Sequence, residues 1–175
     1  MSTAQADAAT VQAAWAVLHG VLDPEVPALS ICDLGIVREV RASADGVDVV
    51  LTPTYSGCPA TEIIAEQVRA AVAGAGLGPV RVHQRRAPAW TSDWISAEGR
   101  RKLLDYGIAP PCAVAADAEQ AADVAAPVRI RPRAVACPRC ASMHTERLSA
   151  FGSTACKAMH RCLDCREPFE YFKPI

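Results

Sequence analysis

The stretch that decides the architecture is CPRCASMHTERLSAFGSTACKAMHRCLDC, residues 137–165, which opens and closes on a Cys-x-x-Cys pair. Cys137 and Cys140 are separated from Cys162 and Cys165 by 21 residues. Two residues between cysteines let a tight turn aim both sulfurs at one point about 2.3 Å away, and two such turns complete a tetrahedral cage. The spacing predicts a zinc ribbon, with Cys137, Cys140, Cys162 and Cys165 as structural zinc ligands. Disulfides or buried free thiols are the bland alternative. The first needs an oxidising compartment and the second apolar surroundings, whereas Arg139, Asp164 and Arg166 sit within or beside the pairs. The N-terminal MSTAQADAATVQAAW lacks the basic region and apolar core of an export signal. Four thiolates also suit iron or an iron–sulfur cluster, and spacing alone does not separate the metals. Cys156, His144 and His160 lie in the same stretch, and each is open to a ligand role or to plain packing.

Outward from the ribbon, a chain of 175 residues with 51% apolar content can supply one ordinary domain and a small module. No run approaches the roughly 20 apolar residues of a spanning helix, so a soluble, cytoplasmic protein with no membrane partner is expected. The net charge of −1 hides an asymmetry. Residues 1–127 hold 9 Lys and Arg against 15 Asp and Glu, and residues 128–175 hold 9 against 4. A basic module raises the question of nucleic acid. The tail's aromatics, Phe169, Tyr171 and Phe172, cluster in the last strand as a ribbon core, so a solvated face or a surface for an acidic protein is expected and nucleic acid is not. PPCAVAADAEQAADVAAP, residues 110–127, reads as a linker between an α+β unit (residues 1–109) and the ribbon (residues 128–175).

In the first unit Thr10 can cap a helix with Val11, Ala14, Trp15, Leu18 and Leu22 on one side. Residues 35–41 and 47–52 read as an antiparallel hairpin around a turn at residues 42–46. After Pro59 a helix is expected over residues 60–74, with a stripe of Ile63, Ile64, Gln67, Val68, Ala71 and Val72 and a stop at Gly74 and Gly76. A strand follows at 79–84, then a helix over 94–106 capped by Ser96 and closed by Gly107. The order implies a small mixed sheet covered by helices on one face. Chemistry concentrates where elements end. Cys58 precedes Pro59 and so sits near the positive end of a helix dipole, an environment expected to lower its pKa. Such a thiolate can attack an electrophile or hold a soft metal, and a plain buried Gly-Cys-Pro turn is the alternative. The acidic pair Asp23 and Glu25 suits metal ligation, general base work or simple turn capping.

The same residues carry a resemblance. DPEVPALSICDLGIVREV followed by LTPTYSGCPATE resembles the domain of SufT-type iron–sulfur assembly factors, with its Asp-Pro-Glu, Asp-Leu-Gly and Thr before Gly-Cys-Pro. With FGSTACK and REPFEYFK in the tail, the chain from about residue 10 onward is similar to the PaaD family. These are small accessory subunits of the bacterial phenylacetyl-CoA epoxidase (ring-1,2-epoxidase) system. The Pro-Ile ending stands where some relatives have a cysteine. The resemblance implies oxygenase subunits with a di-iron centre and a flavin and iron–sulfur reductase as partners, and a homodimer. This sequence has neither a Glu-x-x-His pair for two irons nor a glycine-rich dinucleotide fingerprint. The implied role is therefore maturation, inserting iron or a transient iron–sulfur cluster into a partner. Cys58 would be the transient ligand, with Asp23, Glu25, Asp33 and Thr52 shaping its pocket. A non-catalytic structural subunit and a Cys58-dependent thiol enzyme are the rival readings.

Overall fold

The computed structural model describes residues 3–55, 57–112 and 134–175. Most of the stretch read as a linker lies outside these residues. Two compact units part after Lys102, within a helix, rather than after residue 109. The reason is that residues 108 and 109 pair with a strand of the C-terminal sheet.

The first unit begins with α1 (Thr3–Leu18), followed by the hairpin β1 (Val37–Ala42) and β2 (Val47–Leu51). Then come α2 (Ala60–Gly74), β3 (Val80–Gln84), a 3-10 turn at Ser92–Trp94 and α3 (Ala97–Tyr106), in which the division falls. The sheet is mixed, in the order β1-β2-β3: β1 and β2 are antiparallel, β2 and β3 parallel. VDVVL is the central strand because its valines and leucine are buried, and β-branched side chains suit a pleated, covered surface. Gly46, in the hairpin turn, is obligatory: a Cβ there would stand 2.0 Å from the Pro79 carbonyl oxygen.

α1 packs on β1, β2 and α2, and α2 on β3. Ala14 and Leu18 of α1 and Ile64, Val68 and Val72 of α2 are buried, each large side chain contributing about 1.5–3 kcal/mol by leaving water. The α2 boundaries are those expected, and Gly76, at φ 72°, supplies the left-handed stop. Its buried stripe is narrower than read, since Ala65 replaces the exposed Ile63 and Gln67.

Two expectations for α1 fail. Thr10 is not a cap: the helix starts a full two turns earlier because its alanines favour it, and the Thr10 hydroxyl donates back to the Ala6 carbonyl at 3.0 Å. Leu22 lies beyond the helix, pairs with Ser30 in an isolated bridge and is 49% exposed. Ser96 does cap α3, its hydroxyl accepting from the Gly99 amide at 2.9 Å, and Gly107 closes it at φ 88°.

The second unit is a four-stranded sheet in the order β4-β7-β6-β5. It contains β4 (Ile108–Ala109), β5 (Thr145–Ser149), β6 (Lys157–Cys162) and β7 (Pro168–Phe172). β4 runs parallel to β7, and the other pairs are antiparallel. Ala109, Val135, Cys137, Cys162, Phe169 and Tyr171 form its core, and Phe172 is buried as well, as the aromatic cluster suggested. On the opposite face Lys157 is buried against Glu170 at 2.8 Å, and Glu170 also accepts from the Ser153 amide, which ties down the FGSTACK loop.

Candidate metal centre and thiol pocket

The first Cys-x-x-Cys turn precedes β5 and the second joins β6 to β7, so the sheet brings the two together. All four sulfurs lie within 4.8 Å of one another, with Cys137 Sγ 3.7 Å from Cys165 Sγ and Cys140 Sγ 3.6 Å from Cys162 Sγ. A tetrahedral cage with zinc–sulfur bonds of about 2.3 Å has corners about 3.8 Å apart, so the donor set fits a single ion. A polynuclear cluster would hold its thiolates further apart. All four cysteines are free thiols, Cys137 and Cys162 buried, Cys140 and Cys165 exposed.

The turns repeat one backbone solution. The residue after each pair, Ala141 at φ 60° and Arg166 at φ 67°, is left-handed although neither is glycine. The Cys165 amide donates to Cys162 Sγ at 3.5 Å, and this bond leads the effects that bring the Cys162 thiol down to about 6. It is thus a ready thiolate ligand. The turns are also clamped to each other. Ser142 Oγ donates to Asp164 Oδ2 at 2.5 Å, His144 Nδ1 meets Asp164 Oδ1 at 3.1 Å, and the Leu163 amide donates to the His144 carbonyl at 2.8 Å. Such outer contacts fix ligand orientation.

Cys156 and the two histidines are not among the clustered ligands. Cys156 is buried with its sulfur 3.0 Å from Thr154 Oγ1. His160 is packed between Phe169 and Tyr171, its Nδ1 buried without a hydrogen-bond partner among the described residues.

In the first unit Cys58 and Asp23 line one small cavity with Ile36, Leu51, Pro53, Thr54, Thr61 and Ile64. Its free volume of about 10 Å³ holds scarcely one water molecule. Asp23 is buried, and its Oδ1 accepts from the Glu25 and Val26 amides at 2.9 and 2.8 Å, which locks the turn of the Asp-Pro-Glu motif. Cys58 stands two residues before α2, its carbonyl accepting from the Thr61 hydroxyl at 2.8 Å.

The expected low pKa of Cys58 is not found. Burial raises it, and the charges of Glu25 and Asp23 add to that, outweighing the hydrogen bonds from the Ala60 amide and the Tyr55 hydroxyl. The thiol is therefore protonated at neutral pH. The helix dipole is a local effect, and the carboxylates more than thirty residues upstream oppose it.

Asp33 is placed elsewhere. Its carboxylate accepts from the Ser30 amide at 3.0 Å and from Lys102 Nζ at 2.7 Å, with the Ser96 hydroxyl at 3.4 Å, so it fastens the start of α3 rather than lining the cavity. Thr52 is buried and likewise absent from the cavity wall; its hydroxyl has no hydrogen-bond partner among the described residues. Thr54, Tyr55 and Thr61 are the contributors that sequence reasoning did not single out. Their only signal was a place in the loop and first helical turn around Cys58.

Residues 122–173 match the family described as PaaD zinc beta ribbon domain, and residues 11–83 match that described as iron-sulfur cluster assembly protein. A protein of Escherichia coli (strain K12) that bears the name of a 1,2-phenylacetyl-CoA epoxidase component is 48% identical over 92% of this chain and 91% of its own. An "Fe-S protein maturation auxiliary factor" of Porphyromonas gingivalis is 38% identical over 49% of this chain and 83% of its own. The crystal structure of a DUF59 domain from Bacillus anthracis covers 58% of this chain and 97% of that one, at 25% identity and a TM-score of 0.55. Near full-length likeness, an assembly-type domain and a four-cysteine ribbon agree: the chain belongs to the PaaD family of 1,2-phenylacetyl-CoA epoxidase components.

Proposed function

We propose that this chain is an accessory maturation subunit of a phenylacetyl-CoA epoxidase system, carrying iron or an iron–sulfur cluster to the oxygenase or its reductase through Cys58. The observation that carries this reading is the incompleteness of the thiol pocket. Cys58 and Asp23 share a cavity and Glu25 is close enough for its charge to act on the sulfur. Yet among the described residues only the ribbon cysteines assemble three or more potential ligands around one point. A soft donor beside two carboxylates, lacking further ligands of its own, suits a site completed by a second copy of the chain or by the client. Because the thiol must lose a proton to bind, metal affinity there is weak and rises with pH, which suits a carrier rather than a resident site.

In this reading the ribbon holds zinc for structure and serves as the grip on the partner, the chain is a homodimer, and it works in the cytoplasm. The near-closed cavity favours a second reading, a structural subunit that binds the epoxidase and handles no metal. The protonated thiol argues against a Cys58-dependent enzyme. The test is iron, sulfide and zinc per chain after anaerobic purification, on the intact protein and on Cys58→Ser, together with epoxidation in cells. Labile iron and epoxidation lost together, with zinc retained, support maturation. Undiminished epoxidation with Cys58→Ser supports the structural subunit.

A further inference from the structure

The Asp-Leu-Gly turn that leads into β1 supports an arginine with no role in the chemistry above. The β1–β2 register shifts between Val37 and Glu39, which leaves Arg38 in the irregularity, and such bulges re-aim a side chain out of the pleat. Its guanidinium lies 3.5 Å from the centre of the Trp94 ring, and Nη1 donates to the Gly35 carbonyl at 3.4 Å. Trp94 is itself held, because its backbone presses on Gly35 so closely that a Cβ there would meet the Trp94 carbonyl oxygen at 2.6 Å. Trp90 Nε1 donates to the Leu34 carbonyl on the same turn at 2.9 Å.

The stack fixes the plane of the Arg38 fork, and one nitrogen is taken by Gly35. The half-buried arginines of this unit are Arg38, Arg85 and Arg100. Arg85 pairs with Glu39 at 2.8 Å and Arg100 reaches Asp93 at 3.9 Å, but Arg38 has no carboxylate partner among the described residues. Arg85 leaves from the same rung of the sheet: its amide donates to Leu51, which pairs with Val37. Burial, and after it the like charge of Arg85, lower the Arg38 pKa, so two cations are kept close, while Glu39, the next residue of β1, is shared by Arg85 and Arg41.

We propose that Arg38, flattened on Trp94 and flanked by Arg85, forms an oxyanion-binding site at the bulge end of β1, taking a carboxylate or phosphate group two-pronged on the open edge of its guanidinium. A fixed planar fork on an aromatic face is the arrangement that recognises such groups, and a lysine cannot reproduce it. The site is independent of Cys58 and of the maturation reading, and it supplies a point at which an anionic group of a partner or a phosphorylated small molecule is held.

The test uses the full chain, 15N-labelled, titrated with inorganic phosphate and separately with a glutamate-rich peptide at constant ionic strength. The Arg38 Nε–Hε and the Trp94 indole N–H resonances are followed. Saturable shifts of both are expected, with affinity falling about tenfold or more in Arg38→Lys, the loss of one charged two-pronged contact. Tighter peptide binding assigns the source to a partner's carboxylates, and tighter phosphate binding to a phosphate-bearing molecule. No saturable shift with either probe, or shifts of equal affinity in Arg38→Lys, overturns the proposal and leaves Arg38 as a structural stack on Trp94. Arg85→Ala provides a second arm that spares the stack; unchanged affinity there removes Arg85 from the site.

Discussion

Replacing Asp33 with asparagine should damage the stability of the first unit and leave the chemistry of Cys58 alone. The Asp33 side chain is 6% exposed and its carboxylate holds Lys102 Nζ at 2.7 Å and the Ser30 amide at 3.0 Å. Losing a hydrogen bond to a charged group costs roughly 1.5–3 kcal/mol, and the lower end applies because the Lys102 side chain is 34% exposed and can turn to water. The amide would also direct a donor at other donors in a buried place, adding about 1 kcal/mol. The sum is about 2–3 kcal/mol, against the 5–15 kcal/mol typical of a domain. For a unit of this size that lowers the melting temperature by roughly 10–20 °C.

Tryptophan fluorescence isolates the effect, since Trp15, Trp90 and Trp94 all lie in the first unit and the ribbon has none. The pH dependence has a defined sign. Burial works to raise the Asp33 pKa, but the hydrogen bonds from Lys102 and Ser30 outweigh it and hold the carboxyl below its ordinary 3.8. The stabilisation is therefore complete above that value and disappears as pH falls through the folded-state pKa. The gap between wild type and Asp33→Asn should close in acid. A loss below about 0.5 kcal/mol at neutral pH, or a gap that persists in acid, would refute this account of Asp33.

Three more outcomes are expected. Cys140→Ser should abolish stoichiometric zinc in the ribbon and the shift dispersion of β5 to β7 by NMR, while tryptophan fluorescence stays native; zinc retained at one per chain would contradict the four-cysteine cage. Ala141→Gly and Arg166→Gly should each stabilise the zinc-loaded ribbon by about 1 kcal/mol, because glycine removes the left-handed penalty at φ 60° and 67°; chelator-challenge midpoints that do not move would sink the strain argument. Cys58 should alkylate more slowly at neutral pH than an unstructured cysteine, and Asp23→Asn or Glu25→Gln should speed it; fast labelling of the wild type would mean that the dipole wins after all.

How far the residues announced these features depended on the range of the interaction concerned. The α2 helix was legible to its ends because its evidence is local: a stripe at helical spacing, Pro59 in front and Gly76 behind. The metal cage was legible because a Cys-x-x-Cys turn carries its geometry within four residues. Asp33 was misplaced since its main partner is 69 residues away, and nothing nearby advertises Lys102. The pairing of β4 with β7 escaped notice for the same reason, two residues being too few to show a pattern. At Cys58 the helix-end position favours a lowered pKa, but burial, and after it the distant carboxylates Glu25 and Asp23, outweigh it, and at α1 an apparent cap proves weaker than the helix preference of the alanines before it.

The cage also acts on the unfolded chain. A metal shared by Cys137 and Cys165 closes a loop 28 residues long, and loop-closure entropy puts the value of such a cross-link at about 3.5 kcal/mol. Two of the six residues in the ribbon's main buried cluster, Cys137 and Cys162, are themselves ligands. Part of its core is thus also its metal cage, and its order rises and falls with the supply of metal.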